Sequence, residues 1–269
     1  MLQQKNQSSI NKRVLITGAT SGIGYELCKL FAQHNYDLIL VARNKKRLDH
    51  IANELSQGKD ITVKTIPKDL SIPSSPYEIF TELESASTHI DILINNAGFT
   101  VYGQFSETDI QREMEMIRVN LVSLTILTKF FLPGMLSQGY GKILNVGSTG
   151  SFVAGPLNAV YCATKAYVLS FSEALAEELQ GTNVTVTTLC PGATRTEFAK
   201  RAEIEDINLF RLQSGTMDAR TVAETGYQAL MKGKRSVVAG VTNKATIFSL
   251  RFMPRGLTAK LTKILMSRS

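Results

Sequence analysis

Short apolar runs rich in β-branched residues alternate with longer amphipathic stretches from Arg13 onward. Such runs predict strands, and the stretches between them predict crossover helices, which is the pattern of successive βαβ units around a parallel sheet. The candidate strands are residues 13–18, 37–42, 61–66, 91–96, 141–147, 183–190 and 235–240. The candidate helices are residues 23–34, 45–57, 76–87, 107–132, 157–180, 196–213 and 218–232. The alternation therefore predicts an α/β fold, a doubly wound three-layer α/β/α sandwich with a seven-stranded parallel sheet.

The length and composition fit one such domain. A chain of 269 residues with 43% hydrophobic residues has enough apolar material for a single large core. We expect a flexible polar segment at residues 1–10, a single Rossmann-type catalytic domain at 11–242, and a basic amphipathic tail at 243–269. The polar start of the chain lacks an apolar signal sequence, and no uncharged apolar run approaches the ~20 residues that span a bilayer. A cytoplasmic location is expected.

The stretch "TGATSGIG", Thr17 to Gly24, lies between the first strand and the first helix. At the carboxyl end of a parallel strand, glycines let the backbone approach a pyrophosphate, whose charge meets the free amides of the helix start. The spacing G-x-x-x-G-x-G differs from the usual dinucleotide fingerprint G-x-G-x-x-G, and a tight packing turn is the alternative. Its position at the first βα turn favours a dinucleotide site.

The second strand ends in "VARNKKR" and carries no acidic residue there. An acid at this position holds a ribose 2′-hydroxyl in many dinucleotide folds, whereas a planar guanidinium suits a 2′-phosphate. Arg43 therefore favours NADP(H) over NAD(H). Lys45 to Arg47 fit the solvated start of a helix.

Two Tyr-Lys pairs occur at helical spacing, Tyr161 with Lys165 and Tyr25 with Lys29. A tyrosine and a lysine four positions apart lie on one helix face, where the lysine can stabilise a phenolate. Ser148 follows the fifth strand and Asn95 to Gly98 end the fourth, so these residues and the helix that begins near Tyr161 converge at the carboxyl edge of the sheet. The first pair is thus predicted to be catalytic. The second lies on the helix after the glycine turn, where packing on the sheet or exposure is expected.

Taken together in their order and spacing, these residues resemble the short-chain dehydrogenase/reductase family. The resemblance covers nearly the whole chain and includes "NNAG" at 95–98, "YCATK" at 161–165 and "PGATRT" at 191–196. It implies an oxidoreductase that transfers a hydride between NADP(H) and a carbonyl or secondary alcohol. Tyr161 is then the acid/base, Lys165 lowers its pKa, and Ser148 orients the substrate oxygen. Asn120 completes the catalytic set by holding a water that relays protons to Lys165.

The resemblance also implies the cofactor contacts. Lys165 is then expected to bind the nicotinamide ribose, and Asp69 to contact the adenine. Thr194 and Thr196 are expected to reach the nicotinamide amide or the phosphates. The alternative for Asp69 is a capping or turn residue. The full predicted cofactor set is Gly18, Thr20, Ser21, Gly22, Ile23, Gly24, Arg43, Asp69, Leu70, Asn96, Ala97, Gly98, Tyr161, Lys165, Pro191, Gly192, Thr194 and Thr196. Substrate contacts are expected from Ser148 and Tyr161.

The substrate pocket is expected to be lined by residues 99–102, 148–156 and 198–212, which are mostly small, aromatic or aliphatic. Such a lining favours an apolar ketone, aldehyde or secondary alcohol over a charged sugar. The segment to about residue 215 is expected to order when substrate binds. Two alternatives stay open: a 3-oxoacyl thioester reductase that works on an acyl carrier protein, and a non-catalytic NADP-binding scaffold or sensor.

The net charge of +7 is concentrated at the C-terminal end. Residues 225–269 contain nine basic and no acidic residues, which leaves 21 basic against 23 acidic residues elsewhere. Pro254 and Gly256 divide the tail into two helical candidates, and Leu257, Leu261, Ile264 and Leu265 form one apolar face of the second. This face fits a subunit interface in a homodimer or homotetramer, a peripheral membrane contact, or an acidic ligand or carrier protein. Without aromatic platforms or a reading motif, nucleic acid is not an expected partner.

Three cysteines, Cys28, Cys162 and Cys190, are widely spaced and lack a CxxC motif. An odd number at such spacing argues against a disulfide framework and against a zinc site. We expect buried or half-buried thiols and no metal.

Overall fold

A seven-stranded parallel sheet forms the centre of the protein. The computed structural model describes residues 11–212 and 216–268, so the predicted flexible segment 1–10 lies outside the described residues. The strand order is β3-β2-β1-β4-β5-β6-β9, and a separate two-stranded sheet pairs β7 with β8. The strands are β1 Arg13–Thr17, β2 Asp37–Ala42, β3 Val63–Pro67, β4 Ile92–Asn95, β5 Gly141–Val146, β6 Val184–Cys190, β7 Thr194–Arg195, β8 Met217–Asp218 and β9 Ser236–Val238. The seven-stranded doubly wound prediction is confirmed.

Helices cover both faces of the sheet. They are α1 Gly22–Gln33, α2 Lys45–Ser56, α3 Ser75–Ser85, α4 Ile110–Ile117, α5 Ser123–Ser137, α6 Ala159–Glu178, α7 Glu197–Arg201, α8 Asn208–Leu212, α9 Ala219–Met231, α10 Val241–Leu250 and α11 Arg255–Met266. Two apolar clusters, one on each side of the sheet, pack the strands against these helices. Strands buried on both faces explain why the strand segments read as continuous apolar runs.

The strand order reverses between β1 and β4. Val14, Leu15 and Ile16 pair with Ile92, Leu93 and Ile94, whereas β2 and β3 continue on the other side of β1. Such a reversal opens a crevice at the carboxyl ends of the two central strands, where doubly wound folds bind their ligands. The glycine turn after β1 and the Asn95–Gly98 stretch after β4 border this crevice.

A buried polar network joins the sheet to two helices that cover one of its faces. Asn95 Nδ2 donates to Asn145 Oδ1 at 2.9 Å and to Thr128 Oγ1 at 3.1 Å. Asn145 Nδ2 in turn donates to Ser172 Oγ at 2.8 Å. All four residues are at most 4% exposed. The network therefore ties α5, β4, β5 and α6 together through hydrogen bonds that water does not weaken.

One long helix differs from the predicted helix 107–132. It begins at Ile110 because Asp109 caps it, accepting a hydrogen bond from the Gln111 amide at 2.9 Å. A π-helical turn at Arg118–Val122 connects α4 to α5, which passes through Pro133 and ends at Ser137. The predicted helix ended at residue 132, whereas α5 continues to Ser137 and packs against β4 and β5.

This long helix, residues 110–137, is the one helix among the described residues that is long and apolar enough to cross a membrane by length and composition. It packs against α3 and the central strands. Those contacts are typical of a core helix that flanks a sheet.

The predicted single helix 196–213 is wrong. The chain forms two short helices, α7 and α8, because Glu203 adopts a left-handed φ of +53° that ends the first. Ile204 and Ile207 then turn inward and are almost completely buried. Residues 213–215, where the substrate-dependent ordering was expected to end, lie outside the described residues.

The tail forms two helices, as expected. The predicted boundary between residues 242 and 243 falls in the first turn of α10. The three cysteines are free and buried, as predicted.

The polar network generates a stability prediction. Asn145→Ala removes the shared partner of Asn95 and Ser172 and leaves buried polar atoms unpaired. We expect the free energy of unfolding to fall by about 2–4 kcal/mol in a denaturant titration.

Thr187 supplies the matched control, since it is fully buried and its hydroxyl has no hydrogen-bond partner among the described residues. Thr187→Val keeps the shape and removes that hydroxyl, so stability should stay unchanged or rise. Equal destabilisation by both variants would contradict the role assigned to the network.

Candidate active site

The glycine turn bends sharply at the carboxyl end of β1. Gly18 and Gly22 have left-handed φ values of +67° and +55°, which favour glycine. A Cβ on Gly24 would lie 2.3 Å from the Gly18 carbonyl oxygen, so a side chain there has no room. Ser21 precedes α1 without capping it through its side chain, which leaves the first amides of that helix open toward the crevice. The turn thus has the shape and polarity that an anionic group needs.

Thr17 connects the two central strand ends. Its hydroxyl accepts hydrogen bonds from the Asn96 and Ala97 amides, both at 3.0 Å, and donates to the Ile94 carbonyl at 3.2 Å. Asn96 Nδ2 donates back to the carbonyls of Thr17 and Gly18 at 2.9 and 3.2 Å. These bonds fix the glycine turn to the β4 end.

Arg43 follows β2 beside the glycine turn, because the Gly18 amide donates to the Val41 carbonyl at 2.9 Å. The Arg43 side chain is 69% exposed, and its one ionic contact with a described residue is a long 3.9 Å approach of the guanidinium to Asp69. Asp69 Oδ1 accepts from the Ser71 amide and hydroxyl at 2.9 and 2.8 Å, the turn geometry that was the alternative reading. Arg43 is therefore free to meet a charged ligand at the edge of the crevice.

Ser148 and Tyr161 lie together past the ends of β5 and β6. The Ser148 hydroxyl accepts from the Gly150 amide at 3.0 Å and interacts with the Tyr161 phenol. Burial raises the pKa of Tyr161 well above its usual value near 10, and the hydrogen bond with Ser148 acts in the opposite direction. The phenol is thus held protonated beside the serine.

Lys165 lies one helical turn from Tyr161 and is 4% exposed. Its Nζ donates to the Val146 carbonyl at 2.7 Å and lies 5.8 Å from the centre of the Tyr161 ring. Burial lowers the pKa of Lys165 from 10.5 to about 8. In this arrangement the hydrogen bond with Ser148 lowers the pKa of Tyr161, and the Lys165 amine is turned toward the β5 carbonyl. The expected effect of Lys165 on Tyr161 stays a prediction.

Asn120 sits in the π-helical turn, which brings it to the β4 loop. Its Oδ1 accepts from the Phe99 amide at 3.1 Å, and its Nδ2 donates to the Phe99 carbonyl at 2.9 Å and to Thr164 Oγ1 at 3.2 Å. A Cβ on Gly98 would lie 3.1 Å from Asn120 Oδ1 and 3.4 Å from Lys165 Nζ. The glycine therefore keeps a gap open between the amide and the amine.

The "PGATRT" stretch forms the far side of the site. Thr194 Oγ1 donates to the Gly192 carbonyl at 2.9 Å, and the Thr196 hydroxyl caps α7 by accepting from the Phe198 amide at 3.2 Å. A Cβ on Gly22 would lie 2.9 Å from the Thr196 methyl carbon, so the two turns touch. The Pro191 carbonyl accepts from the Thr149 amide at 2.8 Å.

Of the remaining predicted cofactor residues, Thr20 and Ser21 lie half-buried in the glycine turn, where Ile23 begins to pack on the core. Leu70 is buried beside the Asp69 turn. The structure thus brings the predicted set to one edge of the sheet.

A lid segment, residues 197–212, covers the site. The Phe198 ring packs against the Tyr161 ring with centroids 5.8 Å apart. Tyr102, Phe198 and Met266 surround the buried residues Ala199, Ile204 and Ile207, and the Tyr102 hydroxyl donates to the Met266 carbonyl. The wall beside Tyr161 is therefore apolar, and the end of α11 packs against it.

Sequence reasoning missed several residues of this site. Thr17 and Asn243 were not singled out as site residues. Asn243 packs so closely on Gly192 that a Cβ on the glycine would lie 2.4 Å from the Asn243 side-chain nitrogen. Leu157 holds a left-handed φ of +64° just before α6, and its carbonyl accepts from the Gly103 amide at 2.9 Å. Only Thr17 had a local signal, its position directly before the glycine turn; the others depend on long-range contacts.

The second Tyr-Lys pair lies elsewhere. The Tyr25 hydroxyl donates to Glu54 Oε1 at 2.5 Å, and Lys29 pairs with Glu26 at 2.6 Å. Burial, together with Glu54, raises the pKa of Tyr25 to about 12. No group of three or more His, Cys, Asp or Glu that could hold a metal occurs in residues 11–212 and 216–268.

Comparison with known proteins gives a consistent result. The family described as short chain dehydrogenase matches residues 12–206. Dehydrogenase/reductase SDR family member 7B of Mus musculus is 30% identical over 235 residues, which cover 85% of this chain and 73% of the mouse protein. Ketoacyl reductase HetN of a Nostoc strain is 28% identical over 261 residues, which cover 95% of this chain and 83% of that protein.

Among solved structures, a short-chain dehydrogenase from Sphingobium yanoikuyae in complex with NADPH superposes with a TM-score of 0.81. It is 32% identical, and the match covers 91% of this chain and 94% of that one. The architecture and the crevice described above are thus those of a nucleotide-binding oxidoreductase structure.

The buried amine of Lys165 generates a prediction with a definite sign. Because its pKa is lowered in the folded state, the folded protein releases this proton near pH 8 and the unfolded chain near 10.5. The cost of the buried charge is therefore fully present below about pH 8 and is relieved between pH 8 and 10.5. Lys165→Met should raise the free energy of unfolding at pH 7 by at most about 3 kcal/mol.

Denaturant titrations of wild type and variant at pH 7 and pH 10 check this expectation. The stability difference should shrink at the higher pH, where the wild-type amine is largely neutral. A variant that is less stable than wild type by the same amount at both values would contradict it.

Proposed function

The chain belongs to the short-chain dehydrogenase family, and from that premise we propose that it transfers a hydride between NADP(H) and a carbonyl or secondary alcohol of an apolar substrate. The proposal rests on the position of three side chains, Ser148, Tyr161 and Lys165. They lie close together beside the glycine turn, at the edge of the sheet where the strand order reverses. When bound, NADP(H) supplies or accepts the hydride. The protein contributes binding, orientation and the proton.

The residues present fit a dinucleotide. The open amides at the start of α1 and the glycines that precede it would hold the pyrophosphate. The Lys165 amine would reach the nicotinamide ribose, and the Asn96–Gly98 backbone would line the cleft. The glycine turn and the "PGATRT" stretch approach each other closely at Gly22 and Thr196, so both would border the bound cofactor.

Arg43 supports NADP(H) over NAD(H). Within the part of the chain that the structure describes, its exposed guanidinium has only the distant Asp69 carboxylate as an ionic partner. A 2′-phosphate would therefore gain a charge-assisted bidentate contact there. No acidic side chain ends β2 to receive a 2′-hydroxyl. The NADPH complex of the Sphingobium protein is consistent with this assignment.

Proton transfer is assigned to Tyr161. In the direction of reduction the phenol donates its proton to the substrate oxygen, which Ser148 holds through a hydrogen bond. The charged form of Lys165 favours the phenolate that results, since an opposite charge nearby stabilises an ionised group. Asn120 is proposed to position a water in the gap beside Gly98, through which Lys165 regains protons.

The substrate is proposed to be apolar. Phe198 lies against Tyr161, and the lid segment carries an apolar cluster closed by Tyr102 and Met266. A highly charged substrate would lose its hydration in such a pocket without gaining ionic partners.

A 3-oxoacyl thioester is a second candidate substrate. HetN, which is named a ketoacyl reductase, aligns with 95% of this chain, and the basic tail suits an acidic carrier. A cytoplasmic location and a homodimeric or homotetrameric state stay predictions from the sequence.

Replacing Tyr161 by Phe tests the catalytic assignment. The variant keeps the ring and loses the hydroxyl, so NADPH-dependent reduction of an apolar ketone or a 3-oxoacyl thioester should fall about 10²–10⁴-fold. NADPH affinity, followed through the emission of the nicotinamide, should change little.

Tyr25→Phe is the matched control, because Tyr25 has the same Lys spacing and lies on α1. It should retain wild-type turnover. A protein that binds NADPH but turns nothing over in the wild-type form would instead be a scaffold or sensor.

Replacing Arg43 by Ala tests the cofactor assignment. Loss of the charge-assisted contact should weaken NADPH binding about 10–100-fold and leave NADH binding nearly unchanged. Lys45→Ala is the matched control, since Lys45 is two residues away but is engaged with Asp49 at 2.6 Å. Tighter binding of NADH than NADPH by wild type would refute the 2′-phosphate assignment.

A further inference from the structure

The C-terminal helices expose an unusual amount of apolar surface. Thirteen large hydrophobic side chains are exposed among the described residues, and seven of them lie between residues 241 and 265. On α10 and the turn after it, Phe248 and Phe252 are 61% and 75% exposed and pack edge to face on each other. On α11, Leu257, Leu261 and Ile264 are 46%, 42% and 59% exposed. We refer to these five side chains as the apolar tail surface.

The burial pattern of α11 is the inverse of that of an ordinary surface helix. Thr258 and Thr262 face the protein and are 8% and 7% exposed, while the leucines of the opposite face point to solvent. The threonine hydroxyls are satisfied within the helix, by the Arg255 and Thr258 carbonyls at 2.7 and 2.8 Å. A helix that only had to pack on its own domain would bury the leucines, so this face is built for an external partner.

Exposed cations lie on the same two helices as the apolar tail surface and in the segment between them. Lys244, Arg251, Arg255, Lys260 and Lys263 are exposed, and none of them forms an ion pair with a described acidic side chain. No acidic residue occurs anywhere in residues 225–269. The surface therefore combines aromatic and aliphatic groups with unneutralised positive charge.

We propose that α10 and α11 dock on an anionic lipid surface, with the apolar tail surface in the headgroup region and the flanking cations on lipid phosphates and carboxylates. Amphipathic helices with lysine and arginine beside leucine and phenylalanine bind in this way, because buried apolar area and electrostatic attraction add together. Each cation near such a surface strengthens binding further.

A second copy of the chain is a poorer occupant. In a two-fold dimer the same patch would lie on both sides of the interface, so cations would face cations with no tail carboxylate between them. Lipid headgroups supply the opposite charge without needing a complementary protein shape.

The helix that would touch lipid also holds the lid segment. The Asn208 amide donates to the Ser267 carbonyl and Asn208 Nδ2 donates to the Ile264 carbonyl, both at 3.0 Å. Arg268 contacts Asp206 at 3.1 Å and donates to the Glu203 carbonyl at 2.6 Å. Docking would thus bring the apolar pocket close to the bilayer, a consequence that rests on the proposed apolar substrate, whereas lipid binding itself does not.

Sedimentation with vesicles tests the proposal on the full chain. Wild type should bind vesicles of phosphatidylcholine with phosphatidylserine, bind phosphatidylcholine alone far more weakly, and lose affinity as salt is added. Lys260→Gln combined with Lys263→Gln should weaken binding about 20-fold. Leu261→Ser combined with Ile264→Ser should weaken it at least about tenfold.

Phe105→Ser is the matched control, since Phe105 is 65% exposed but lies outside the tail. It should bind like wild type, and all variants should keep the wild-type Tm. Failure of wild type to bind anionic vesicles at low salt, or equal binding by the tail variants, would overturn the proposal. So would a stable dimer that the Leu261 and Ile264 changes dissociate. Because vesicle binding requires no turnover, its failure leaves the proposed reaction untouched, and the reverse also holds.

Discussion

Burial of the central strands on both faces is the constraint on which the other features depend. A strand such as β4, with every residue buried, can place reactive groups only where it ends. Parallel pairing puts all those ends at one edge, and the reversal between β1 and β4 opens the crevice there. Inside the sheet, the Asn95–Asn145 hydrogen bond joins two residues that are paired at the carboxyl ends of β4 and β5, next to the candidate site.

The candidate site buries two ionisable side chains, Tyr161 and Lys165. Burial disfavours the charged form of both members of the pair, raising the pKa of Tyr161 and lowering that of Lys165. A lysine with a pKa of about 8 exchanges protons readily near neutrality, which an ordinary surface lysine does not. Burial of the Lys165 amine destabilises the folded state, and the apolar clusters on both faces of the sheet offset this destabilisation. Stability alone would therefore favour an apolar residue at position 165.

Local patterns predicted the sheet, the glycine turn and the residues at the strand ends, because each depends on periodicity or on position after a strand. The same reasoning gave a wrong prediction for the lid segment. Residues 196–213 have helical composition, but Ile204 and Ile207 are buried under the cluster that Tyr102 and Met266 complete, and those partners are distant in sequence. The π-helical turn at Asn120 and the left-handed Leu157 likewise follow from packing around the site, which no local signal encodes.

The apolar pattern in the tail predicted a helix correctly, but it did not predict which face of that helix packs on the protein. The apolar periodicity of α11 is real, yet the helix turns its threonines inward and its leucines outward. The last residues of α11 hold the lid segment through backbone carbonyls, Arg268 and the apolar contact of Met266. The outer face of α11 is therefore available to a partner, while the end of the same helix packs against the lid segment. The same helix therefore connects the exposed outer surface to the segment whose Phe198 lies against Tyr161.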